Sequence, residues 1–171
     1  MNYFKHLLFL ILITFISCEN PRPRAEETVN VEPHPLETQK TTMDSLSKSG
    51  KVYVPVYSNI YQRTRNERTS LTSTLSVHNT SETDTLFVTR IDYFNTEGKL
   101  VKKYLNKTVY LNTFETIEYV VDEEDESGGS GANFVIEWYG SKKLNPLFQA
   151  VMIGGLGNKS FSFTTEGVPF E

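Results

Sequence analysis

Cysteine is almost missing from this chain: 171 residues hold one, Cys18, with three histidines and a single tryptophan. A lone cysteine excludes a disulfide framework and thiolate zinc sites. His6 and His34 lie in the N-terminal stretch, so His78 is the one imidazole available to the rest, and Cys–His chemistry there is out. There is no basic block either. Seventeen Lys and Arg stand against 21 Asp and Glu, a formal charge of -4, which argues against electrostatically driven nucleic-acid binding. No apolar run reaches the roughly 20 residues that span a membrane. No internal repeat is evident, and no segment carries a helical stripe. The length allows one ordinary domain at most.

What is present begins with an address. Lys5 supplies a positive start, Leu7–Ile16 is almost unbroken apolar residue, and Ser17 precedes Cys18. Residues 1–17 therefore read as a secretory signal peptide. The junction Phe15-Ile16-Ser17-Cys18 resembles the lipobox of bacterial lipoproteins, although that family usually has Leu at the place of Phe15. The resemblance implies cleavage before Cys18 and acylation of its sulfur and amine, with palmitate-type chains as a membrane anchor. The alternative is an ordinary cleaved signal followed by a free cysteine. Several acyl chains, at about 0.8 kcal/mol per buried CH₂, would hold permanently where one would not.

Residues 18–50 contain four of the seven prolines, Pro21, Pro23, Pro33 and Pro35, with many Glu, Thr and Ser. Such a segment buries too little to offset its ordering entropy and reads as a disordered tether. Extended, it would reach on the order of 100 Å.

From Lys51 to Glu171 the period is two. Expected strands are Val52–Tyr57 (Pro55 marking an edge strand), Leu71–His78, Thr85–Asn95, Lys99–Leu105, Phe114–Val121, Ala132–Tyr139, Leu147–Ile153 and Ser160–Thr165. Gly154–Gly157 reads as a turn. In Thr85–Asn95, Leu86, Val88 and Phe94 oppose Phe87, Ile91 and Tyr93. The pattern is that of an all-β fold: an antiparallel β-sandwich, immunoglobulin- or fibronectin-III-like, of about seven to eight strands.

The runs Val52–Ser58, Thr74–Val77, Ile91–Phe94 and Gly98–Val101 lead to the most specific one, Ser127-Gly128-Gly129-Ser130-Gly131-Ala132-Asn133-Phe134, closed by Ile136-Glu137-Trp138. Together with Ala150–Gly154 and Phe161–Thr164 they resemble the bacterial domain of unknown function 3124 family. That resemblance implies a domain boundary and no chemistry.

Acids serve catalysis or bind metal. Glycosidase chemistry needs two carboxyl groups facing across a cleft. Asp92 and Glu137 fall inside strands, and Asp92, on the Leu86/Val88 phase, reads as a buried carboxylate or the mark of a bulge. His78, on an outward phase, reads as solvated. Asp122, Glu124, Glu126 and Asn133, around the glycine run, are spaced for a Ca²⁺ loop; the bland reading is a solvated acidic turn. Trp138 reads as core. Tyr53, Tyr57 and Tyr61 are the expected exposed binding patch. The function that follows is a non-catalytic, lipid-anchored protein of the bacterial cell envelope, periplasmic or surface-facing. It holds an envelope protein or glycan and no nucleic acid; a Ca²⁺-dependent module and a small envelope hydrolase are the alternatives.

Overall fold

The structure, a computed structural model, describes residues 34–35 and 47–171, which belong to one compact unit spanning Val31–Glu171. Cys18, the expected signal and most of the expected tether lie outside the described residues. No helix among the described residues is long and apolar enough to cross a membrane.

The strands in chain order are β1 (His34–Pro35), β2 (Ser47–Val56), β3 (Asn59–Tyr61), β4 (Arg68–Ser70), β5 (Thr72–His78), β6 (Leu86–Phe94), β7 (Leu100–Lys103), β8 (Val109–Leu111), β9 (Thr116–Val121), β10 (Ala132–Ser141), β11 (Leu147–Leu156), β12 (Lys159–Glu166) and β13 (Val168–Phe170). One sheet has the order β1-β8-β6-β10-β2-β13, with β7 also on β6; the other has the order β12-β11-β5-β9; β3 and β4 form a separate ribbon. All pairings are antiparallel. This is the expected all-β sandwich. Each strand expected from alternation is present, and β1, β3, β4, β8 and β13, each of two or three residues, are added to them.

Alternation explains which face is buried. On β10, Ala132, Phe134, Ile136 and Trp138 turn inward, and Val52, Val54 and Val56 of β2 lie beside them. Leu75 and Val77 of β5 and Phe148, Ala150 and Met152 of β11 close the core from the smaller sheet. Burying each of the larger side chains stabilises the fold by about 1.5–3 kcal/mol.

Four expectations change. First, β2 begins at Ser47, so the domain starts before Lys51. Gly50, placed in the tether by composition, pairs with Trp138. A Cβ there would come within 2.8 Å of the indole Nε1. The glycine admits the ring. Second, Ile91 and Tyr93 share the core with Leu86 and Val88. Glu137 pairs with Arg90 but Trp138 pairs with Val88, leaving Thr89 as an extra residue, and this bulge flips the phase of β6. Third, β2 is not an edge strand along its whole length, because β13 pairs with it over Lys51–Tyr53. Pro55 lies beyond that reach, and its carbonyl accepts from the Thr165 hydroxyl. A residue without N–H is tolerated where the last strand has stopped. Fourth, β11 runs through Leu156, so Gly154 and Gly155 are strand residues. Gly157, at φ +61°, carries the turn.

Candidate functional site

The glycine run forms a short 3₁₀ turn, Glu126–Gly131, that ties the sandwich together at one end. The Asp125 carboxylate accepts from the Ser127 N–H at 3.0 Å, and Glu126 accepts from the Ser70 hydroxyl at 2.6 Å. The Ser58 N–H donates to the Gly129 carbonyl at 3.0 Å, and the Thr96 N–H to the Gly128 carbonyl at 2.9 Å. Gly131 N–H donates to Thr96 Oγ1 at 2.9 Å. Beneath the turn, Ser58 Oγ and Tyr93 Oη are 2.7 Å apart, and a Cβ on Gly128 would lie 1.8 Å from that Oη. Gly129 is at φ +74°. The most distinctive motif of the sequence is thus a clasp.

That use scatters the expected Ca²⁺ ligands. Asp122 and Glu124 sit exposed in the turn after β9, Glu126 faces Ser70, and Asn133 is buried in β10 between Phe94 and Pro55. Among the described residues no three or more His, Cys, Asp or Glu side chains come together in a way that could hold a metal ion.

The tyrosines are not one patch. Tyr53 is exposed on β2, Tyr57 is half-buried with its ring 5.9 Å from Phe163, and Tyr61 is exposed on β3. Tyr61 carries Arg68 over its ring at 4.7 Å and accepts from that guanidinium at 2.9 Å. His78 is half-buried, not solvated: Nδ1 is 2.8 Å from Thr116 Oγ1, and Nε2 is buried without a partner among the described residues. Asp92 is 6% exposed, so it is a buried carboxylate and the bulge lies beside it. Arg90 reaches Asp92 at 2.7 Å and Glu137 at 3.0 Å. The hydrogen bond to Asp92 chiefly, and that to Glu137, hold the guanidinium proton more tightly than usual against the effect of burial. Both carboxylates accept hydrogen bonds from the one guanidinium.

The opposite end of β10 is open. There the indole of Trp138 lies across Gly50, with Nε1, Cε2 and Cζ2 its nearest atoms to that position. Trp138 is 6% exposed, yet its N–H has no acceptor among the described residues. Two adjoining cavities of about 370 and 520 Å³ share Ser49, Gly50, Lys51, Trp138 and Phe170. The larger is closed by Pro146, Leu147, Phe148, Gly167 and Pro169. Phe148 lies 6.3 Å from the indole. Lys48 sits 5.6 Å over the indole and donates to the Leu144 carbonyl at 3.3 Å. Gly167 lets the chain pass from β12 in one sheet to β13 in the other, since a Cβ there would strike Val52 Cγ1 at 2.4 Å. Trp138 is core, as expected; sequence reasoning missed the cleft beside it because it put Gly50 in the tether.

Residues 49–170 match the family described as Protein of unknown function (DUF3124). The chain belongs to this family. The matched span of the DUF3124 domain opens two residues into β2 and takes in both the clasp and the Trp138 cleft. No curated protein matches the chain. A solved structure from Thermotoga maritima aligns with a TM-score of 0.42 and 15% identity, over 70% of this chain and 92% of that one.

Proposed function

We propose that this chain is a lipid-anchored envelope protein whose DUF3124 domain is a non-catalytic binding module, with the Trp138 cleft as the place where an envelope protein or glycan is held. The observation that carries the reading is the cleft itself: an apolar cavity of about 520 Å³ beside a buried indole N–H that has no acceptor among the described residues. Sites of this volume with few convergent polar groups are ligand sites by habit. Groups that could serve acid–base chemistry are engaged elsewhere, His78 by Thr116 and Asp92 and Glu137 by Arg90. The anchor rests on Cys18, the lone cysteine, directly behind the apolar run.

Site-specific photo-crosslinking in intact cells tests both parts. A crosslinker at Leu147, 38% exposed at the cleft, is expected to give a discrete adduct. One at Val120, 48% exposed and away from the cleft, is expected to give none. Cys18→Ser should release the chain from the membrane fraction and abolish incorporation of labelled palmitate. Equal adducts from both positions, or none, would remove the cleft; an unlabelled wild-type chain would remove the anchor.

A further inference from the structure

We infer that the edge of β8 facing away from β6 is a docking surface for the chain's own tether, and that His34 and Pro35, latched there, set how far an anchor at Cys18 lets the domain stand from a membrane. The effect on reach rests on the anchored reading above; the latch rests on contacts within the chain. His34 pairs with Tyr110, and Pro35 with Val109. The imidazole stacks on the Tyr110 ring, with centroids 5.1 Å apart and planes at 22°. Its Nε2 lies 3.0 Å from Glu115 Oε1. An ionised carboxylate only accepts, so the imidazole donates.

The receiving surface is built by the domain itself. Tyr110 stands in register with Phe87 of β6, whose ring stacks at 4.8 Å on Tyr139 of β10. His34 therefore adds a fourth ring to a row that crosses the sheet. Glu115 is held by the turn after β8. Its Oε2 accepts from the Asn112 N–H at 2.7 Å and from the Asn112 side-chain amide at 3.1 Å, and its own N–H donates to the Asn112 carbonyl at 3.2 Å. Phe114, at φ +59°, carries that turn. Oε1 is left for His34. Proline suits the end of the pairing, because it offers no N–H to a further strand. The latch lies ahead of the matched DUF3124 span and is joined to β2 through residues 36–46. Docking is thus intramolecular, and a contact too weak to hold a free peptide suffices. Docked, the chain from anchor to domain ends at His34 and reaches roughly 55 Å at full extension; undocked, it ends at Ser47 and reaches about 100 Å.

Proton NMR of the full chain in detergent tests the latch. The His34 ring signal, assigned by its loss in His34→Ala, is expected upfield of its position in Tyr110→Ser, with cross-relaxation to the Tyr110 ring. Tyr110→Ser should lower the ratio of docked to open chain about fivefold, the size of one aromatic pair. His78, inside β5, should keep its signal in both variants and so reports that the domain is folded. A His34 signal that is the same with and without the Tyr110 ring, in a chain whose His78 is unchanged, would overturn the inference. Reach is read in vesicles that carry a dansyl lipid, with Trp138, the only tryptophan, as energy donor. His34→Ala/Tyr110→Ser should transfer less energy to the lipid than wild type. Equal transfer would overturn the role in reach. A chain that shows the His34–Tyr110 contact yet fails to bind the vesicles would remove the anchored reading and leave the latch standing.

Discussion

A methyl group at position 128 would sit 1.8 Å from the Tyr93 hydroxyl and 2.6 Å from that of Ser58. At residue scale, then, the glycine is there to let a turn lie on a buried phenol. The Tyr93 phenol is held above its ordinary pKa by burial, in part offset by the bond with Ser58. Gly128→Ala should therefore destabilise the domain by about 3 kcal/mol, the upper end of overpacking costs. Tyr93→Phe should cost about 1 kcal/mol through the lost hydrogen bond. Because removing the hydroxyl also clears the closest contact, the double variant should be less unstable than the sum of the two. Urea denaturation of the four chains measures that coupling. Additive costs would mean that the turn does not rest on Tyr93.

At the scale of elements, alternation made the long strands legible, since β5, β6, β10 and β11 each bury one face. It failed where a single residue decides. The bulge at Thr89 leaves no mark in the residue types of β6, yet it determines that Ile91 and Tyr93 join Leu86 and Val88 in the core. The short strands β8 and β13 escaped because three residues carry too little period. The cleft was illegible for a related reason: it is made by Gly50, whose neighbours Ser47, Lys48 and Ser49 look like tether by composition. That misreading has a measurable consequence. A chain beginning at Lys51 loses the Ser47–Gly50 part of β2, which pairs with Trp138–Ser141. Relative to one beginning at Ser47, it should melt several degrees lower and show red-shifted Trp138 emission, as the indole loses the backbone it lies on. Identical melting and emission would return the boundary to Lys51.

Across the whole domain the two ends of the sandwich are built differently. At the Trp138 end the indole lines a cavity, its N–H buried without an acceptor among the described residues. At the clasp end the gap between sheets is filled by aromatic rings, with Tyr104 4.9 Å from Tyr119 and 5.7 Å from Phe134. Burial pushes the Tyr119 phenol up to about 12. It does the same to Tyr104, where the nearby Tyr93, Asp125 and Asp122 add to the effect. In the unfolded chain both ionise near the ordinary phenol value of about 10. Their contribution to stability is therefore complete below pH 10 and is lost as pH rises from 10 through 12, by roughly 2 kcal/mol each at most. The Tyr119 hydroxyl is also buried without a partner among the described residues, so it gains nothing from being polar at neutral pH. Tyr119→Phe should raise stability by up to about 1 kcal/mol at pH 7 and flatten the alkaline fall, leaving Tyr104 as the main phenol that ionises on unfolding. Thermal melts of the two chains from pH 7 to pH 12, with ultraviolet titration of the phenols, measure this. A wild-type chain whose stability is level up to pH 12, or a variant that falls as steeply as wild type, would show that the closed end does not depend on keeping these phenols neutral.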